Sequence, residues 1–186
     1  MARQATRLGP SITASTYLEA APPVTRYILR GDQKVMSAAA AALGLTISQI
    51  ACRAVTSSGS GSASHALSAL WLGPDEQLLL GPDGADLAAT LRAALRELPH
   101  SLVEVSHRQI ALRVSGPRVT DLLNAGCPLD LDLSAFPVGM CTRTVLAKAE
   151  IVLWRTAESV FHIEVWRSFA PYVSGFLAEV ARELAS

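Results

Sequence analysis

Charge is scarce in this chain. Asp, Glu, Lys and Arg make up 17% of its 186 residues, below the roughly 25% usual for soluble domains. The 16 basic and 16 acidic residues cancel, so no electrostatic footprint exists for nucleic acid or for an anionic membrane surface. Cysteine is equally sparse. Cys52, Cys127 and Cys141 are an odd number with no CxxC spacing, which argues against a disulfide framework and a thiolate zinc site and fits a reducing cytoplasm. No window approaches the roughly 18 consecutive apolar residues that span a bilayer. The longest candidate, Val35 to Leu45, is interrupted by Ser37 and Gly44. The N-terminal MARQATRLGPSITAS is basic and has no apolar h-region, so it reads as a flexible tail and not as a secretory signal.

Catalytic patterns are missing too. His65, His100, His107 and His162 show no HxH, HExxH or helical pair spacing for a metal. No GxSxG elbow is present for a serine nucleophile. A cysteine nucleophile needs a histidine held beside it, whereas Cys127 precedes a proline and Cys141 lies in an expected strand. The SSGSGSAS loop at 57–64 lacks the lysine and the GxxxxGK[ST] ending of a phosphate-binding loop. Ser115-Gly116-Pro117 and Gly81-Pro82-Asp83-Gly84 place amides at helix starts, with capping the better account than anion binding. Asp130 and Asp132 alternate with leucines in PLDLDL. That pair suits acid–base work, but alternation more simply marks an extended segment with one apolar and one wet face. The reading of the residues is therefore catalytic none, cofactor-binding none and metal none.

What is abundant is apolar surface. Hydrophobic residues are 50% of the chain and the mean hydropathy is +0.31. Alanine content, tight packing or a large face against a partner each explain this. The chain is long enough for one real core, so we expect a tail over 1–24 and a single α+β domain over 25–186. Break points are expected at loop 57–64 and at a linker over 126–139. Arg26–Arg30 reads as a strand, Val35–Leu43 as a helix, and Ile47–Val55 as a strand. Three β–turn–β–helix units follow, at 65–98, 101–124 and 149–185. The second has its hairpin turn at Ser106-His107-Arg108 and its helix capped by Ser115. The last has a hairpin through 156–159 and a helix capped by Ser168, with Phe169, Tyr172, Val173, Phe176, Leu177, Val180 and Leu184 as its apolar face. Hairpins do not supply parallel crossovers, so antiparallel or mixed sheets with helices packed on one face are expected, not a doubly wound nucleotide fold.

Aromatics and prolines concentrate in the C-terminal third. Trp71, Trp154 and Trp166, with Arg155 and Arg167 beside two of them, are typical of core or interface anchors. Several words there match a known family. Cys127-Pro128-Leu129-Asp130-Leu131, Phe136-Pro137-x-Gly139, Trp154-Arg155 and Glu164-Val165-Trp166-Arg167-Ser168-Phe169-Ala170-Pro171-Tyr172-Val173 resemble the gamma subunit of heterotetrameric sarcosine oxidase. So do Leu29-Arg30-Gly31-Asp32, Leu72-Gly73-Pro74-Asp75-Glu76, Val105-Ser106-His107-Arg108 and Ser115-Gly116-Pro117. Gln77 departs from that pattern, standing where a tryptophan is expected. More widely, the VSH turn, strand and SGP resemble the folate-binding aminomethyltransferase superfamily, which implies an α+β fold like part of its folate-binding domain.

The resemblance implies a complex in which alpha, beta and delta subunits accompany this chain. Together they would oxidatively demethylate sarcosine, with tetrahydrofolate trapping the one-carbon unit and oxygen becoming hydrogen peroxide. FAD, FMN, NAD and tetrahydrofolate then belong to partner subunits, and this chain holds no cofactor. On that reading we expect a subunit interface built from Cys127, Pro128, Leu129, Phe136, Pro137, Trp154, Trp166, Arg167, Phe169 and Tyr172. Two other readings stay open: a stand-alone folate-binding or aminomethyltransferase-like protein, and a gamma-type subunit of another N-methyl amine oxidase or dehydrogenase. A homodimer of the isolated chain through its orphaned face also stays open.

Overall fold

The computed structural model describes residues 17–46, 50–57 and 67–185. In chain order its elements are β1 (Tyr17–Ala20), β2 (Val24–Gly31), α1 (Gln33–Leu43), β3 (Ala54–Thr56), β4 (Ser68–Gly73), β5 (Glu76–Pro82), α2 (Leu87–Leu95), β6 (His100–Glu104), β7 (Gln109–Ser115), α3 (Val119–Asn124), β8 (Cys141–Leu146), β9 (Ala149–Ala157), β10 (Val160–Trp166) and α4 (Ala170–Leu184). They form two compact units, one of residues 23–106 and the other of the N-terminal stretch to Pro22 together with residues 107–186. The flexible loop expected at 57–64 lies outside the described residues apart from Ser57, as do the tail to residue 16 and the first residues of the strand expected from Ile47.

The unit over 23–106 holds an antiparallel sheet of order β3-β4-β5-β2-β6. Its helices cover one face. Val35, Met36, Ala39 and Leu43 of α1 and Leu87, Leu91 and Leu95 of α2 bury themselves with Tyr27, Leu29, Ala69 and Leu79. Helix α1 begins where local chemistry dictates. The Asp32 carboxylate accepts from the amides of Lys34 and Val35 at 2.9 and 3.0 Å, satisfying donors that no helical carbonyl reaches. It ends at Gly44, whose φ of 63° is the left-handed conformation that glycine adopts without strain. Gly31 before it has no room for a side chain, because a Cβ there would stand 2.6 Å from Val35 Cβ. The Arg30-Gly31-Asp32 triplet is thus a strand end, a close approach and a helix cap.

The second unit has a sheet of order β1-β7-β10-β9-β8, again antiparallel. Helices α3 and α4 cover the face made by Leu112, Val114, Phe161, Ile163, Val165, Ile151 and Leu153. Val119, Leu122 and Leu123 of α3 and Val173, Leu177 and Ala181 of α4 fill that core. The α+β reading with antiparallel sheets and helices on one face of each sheet therefore holds.

Several local expectations do not. Tyr17–Ala20, read as tail, is a strand that pairs with β7 in the register Leu18–Val114. The predicted hairpin over 101–114 does not form: β6 pairs with β2 and β7 pairs with β1 and β10. Non-local partners win because the intervening residues are tied to β2. The Arg26 amide donates to Ser106 Oγ at 2.9 Å, and the Val105 amide donates to Arg26 O at 2.9 Å. The caps shift as well. The residue capping α3 is Arg118 and that capping α4 is Phe169, and neither gives a side-chain cap bond, so Ser115 and Ser168 are not caps. The strand expected over 47–55 is only Ala54–Thr56 where it is described.

Candidate subunit interface

The ten residues expected at an interface divide into two groups once their surroundings are known. The first group lies along 126–139, which is no linker. It is an irregular segment inside the second unit whose apolar residues fill the core. Cys127, Leu131 and Phe136 are buried. Phe136 packs against Phe161 with ring centroids 6.1 Å apart, and Leu129 packs against the same core. Cys127 and Phe136 therefore have no surface to offer a partner. Pro128 is exposed and Pro137 half-buried.

The fold of this segment follows from its aspartates. Asp130 Oδ1 accepts from the Asp132 amide at 2.9 Å, and Asp132 Oδ1 accepts from the Ser134 amide and hydroxyl at 2.8 and 2.6 Å. These are successive side-chain-closed turns. They replace the extended run that alternation predicted, and they leave Leu133 exposed while Leu131 is buried. The Ser134 hydroxyl, followed by its amide, holds the Asp132 carboxyl below its usual pKa. A catalytic base is tuned in the opposite direction, toward neutrality.

Arg155 locks the segment in place. Its Nη1 donates to Leu131 O at 2.9 Å and Phe136 O at 2.8 Å. Its Nε and Nη2 donate to Glu158 O at 3.1 and 2.7 Å. The guanidinium also stands 4.8 Å over the Phe161 ring. Burial pulls its pKa down, while Asp132 and Glu158 act to raise it. Trp154, next in the chain, is half-buried on the opposite face of β9, edge-on to His162 at 5.6 Å. Its indole N–H is buried without a hydrogen-bond partner.

The second group is at the surface. Strand β10 ends at Trp166, and a tight turn leads into α4: the Phe169 amide donates to Trp166 O and the Val173 amide to Phe169 O, both at 2.9 Å. Trp166, Phe169 and Tyr172 are 38%, 41% and 42% exposed. Phe169 and Tyr172 are three positions apart at the helix start, so they stand on one side of it. The helix buries Ala170, Val173, Ser174, Leu177 and Ala181 instead, so the expected apolar face is rotated and its two leading aromatics point outward. Arg108 lies over the Trp166 ring at 4.1 Å. Arg167 donates through Nε to His107 O at 3.1 Å, and its amide donates to Arg108 O at 2.9 Å.

A family model for "Sarcosine oxidase, gamma subunit family" matches residues 30–183. The chain belongs to the sarcosine oxidase gamma subunit family. Among curated relatives, a sarcosine oxidase subunit gamma from Corynebacterium sp. (strain P-1) is 40% identical over 117 residues, 63% of this chain and 58% of that protein. One from Arthrobacter sp. is 36% identical over 124 residues, 67% of this chain and 61% of that protein. The matched part thus spans about three fifths of those relatives. In solved structures, a chain of the heterotetrameric sarcosine oxidase from Corynebacterium sp. U-96, in complex with pyrrole 2-carboxylate, is 29% identical. Its TM-score is 0.83, covering 92% of this chain and 86% of that one. The glycine cleavage system aminomethyltransferase T from Bartonella henselae shares the fold, with TM-score 0.64 at 15% identity, over 88% of this chain and 45% of that one.

Two arginines, Arg155 and Arg108, have structural roles that their sequence context alone does not assign. Arg155 was legible in principle: it continues the Ile151, Leu153 alternation, so a charge occupies a core-facing position of β9. Arg108 carried no such signal, because the turn around it was read as a hairpin. Among the described residues no group of His, Cys, Asp and Glu gathers as a metal site. No helix among them is long and apolar enough to cross a membrane.

Proposed function

We propose that this chain is the non-catalytic gamma subunit of a heterotetrameric sarcosine oxidase, acting in the cytoplasm beside alpha, beta and delta subunits. Its role is to stabilise the larger subunits. They carry FAD, FMN, NAD and tetrahydrofolate and convert sarcosine to glycine, giving methylenetetrahydrofolate and hydrogen peroxide. The observation that carries this reading is the fold match at TM-score 0.83 to a chain of the Corynebacterium complex, over nine-tenths of this chain. Family membership and the exposed aromatic run at Trp166, Phe169 and Tyr172 support it.

The test is a pull-down of the tagged chain from its native cells, followed by mass spectrometry and a visible absorption spectrum. Three further chains and a flavin band in stoichiometric amount are expected. A colourless protein that purifies alone or with itself overturns the proposal.

A further inference from the structure

Each sheet ends in two edge strands, β1 and β8 in one, β3 and β6 in the other. An edge offers its unpaired backbone groups to any strand that arrives, and proteins blunt it by shortness, cations, proline or a bulge. β1 has four residues and β3 three. β8 carries Arg143 in its middle. β6, His100-Ser101-Leu102-Val103-Glu104, has no lysine, arginine or proline, and its register with β2 runs without a shift. Ser101, Val103 and Glu104 are exposed, Val103 by 51%, and His100 and Leu102 are half-buried. Among the described residues β2 is the only strand beside it.

The backbone fixes which groups β6 offers. The Val105 amide donates to Arg26 O at 2.9 Å, in the same register that sets Val103 opposite Ile28 and Ser101 opposite Arg30. Hydrogen-bonded and non-bonded pairs alternate along an antiparallel ladder. Ser101 and Val103 therefore turn their amides and carbonyls to β2, and those of His100, Leu102 and Glu104 point to the open edge. A second β6, antiparallel about a two-fold axis at Leu102, meets all three. Leu102 bonds to Leu102 of the other copy, and His100 of each copy bonds to Glu104 of the other. Any other register leaves an end residue unmatched. The side chains agree. Leu102 lies opposite Leu29 and packs against the core under α1 and α2, so two apolar edges meet. His100 and Glu104 share that face, and each imidazole stands opposite a carboxylate, a favourable cross-strand pair. β8 fails the same test. The Arg155 amide donates to Met140 O at 2.9 Å in the β8–β9 register, so Cys141, Arg143 and Val145 offer the open edge, and a two-fold axis there sets Arg143 against its own copy.

We infer that β6 joins two copies of this chain edge to edge, making their two five-stranded sheets continuous across a two-fold axis at Leu102. A two-fold contact needs a self-complementary surface, and β6 supplies one in both backbone and charge. The inference does not rest on the subunit reading above.

The experiment uses the full chain expressed without other subunits. Light scattering is expected to give a particle of twice the 19.7 kDa chain. S101C and V103C chains, each changed at an exposed position, are then mixed, oxidised, digested and mapped by mass spectrometry. In the inferred register Ser101 of one copy faces Val103 of the other in a non-hydrogen-bonded pair, with Cα atoms about 4.5 Å apart, within disulfide reach. A disulfide joining positions 101 and 103 is the expected product. E104K removes the carboxylate opposite His100 at both ends of the contact and is expected to weaken the dimer at least about tenfold. A monomer at every concentration, a dimer without the 101–103 link, or a dimer indifferent to E104K overturns the inference. A chain that is monomeric alone, and whose V103C thiol is captured by another subunit of the complex, gives this edge to that subunit: the inference falls and the subunit reading stands. If E104K does not fold, the disulfide map alone decides.

Discussion

Replacing Arg155 with methionine tests what holds the 131–136 segment to the sheet. The guanidinium serves three backbone carbonyls, those of Leu131, Phe136 and Glu158. Glu158 is at an exposed turn, and its carbonyl rehydrates when the arginine is gone. The carbonyls of Leu131 and Phe136 belong to fully buried residues, and a stranded buried acceptor costs about 1–3 kcal/mol. The two together come to about 2–6 kcal/mol. Loss of the cation above Phe161 adds about 0.5–1 kcal/mol. Against this, methionine needs no desolvation of a charge, a penalty visible in the depressed Arg155 pKa, and it keeps the packing of the stem. We expect a net loss of about 3 kcal/mol, which lowers Tm by about 6–12 °C for a chain of this length. R155K is expected to lose a large part of this, because a single ammonium does not reproduce the planar fork. Thermal melts followed by tryptophan fluorescence report it, since Trp154 and Trp166 lie in the affected unit. An R155M protein with an unchanged Tm refutes the account and makes the hydrogen bonds incidental to stability.

The remaining predictions concern local devices. Asp32→Ala removes the acceptor for the Lys34 and Val35 amides and should destabilise the first unit by about 1 kcal/mol, read from urea melts at Trp71. Ser134→Ala removes the main cause of the lowered Asp132 pKa, so that value should rise toward the ordinary aspartate range in an NMR titration, and an unmoved pKa would refute the assignment. The sign for stability follows. A depressed folded-state pKa contributes stability above the unfolded value, and that contribution is lost as pH falls through the folded value. The difference in Tm between wild type and S134A should therefore narrow in strong acid.

Much of the architecture was written locally. The helix over Val35–Leu43 announced itself by apolar spacing, by Asp32 before it and Gly44 after it. The hairpin of β9 and β10 followed from two β-branched runs around a short polar turn, and that of β4 and β5 from two leucine-rich runs around a Gly-Pro-Asp turn. The residue words of 127–173 carried the family resemblance, and they include residues that pack closely here: Cys127, Leu131, Phe136 and Val173 all meet one core.

Other features depended on partners distant in sequence. Whether Ser101–Val114 folds back on itself or divides between two sheets was decided by β2 and β10, more than 50 residues away on either side for some pairs, and no local propensity records such competition. The same holds for the aromatics. Phe136 and Phe169 look alike in the sequence, yet one is buried against Phe161 while the other is partly in water at the start of α4. Composition established that this chain carries much apolar surface and few charges. Which of those apolar groups remain outside to meet a partner was set by the tertiary structure, because burial depends on what each side chain packs against and not on its chemical type.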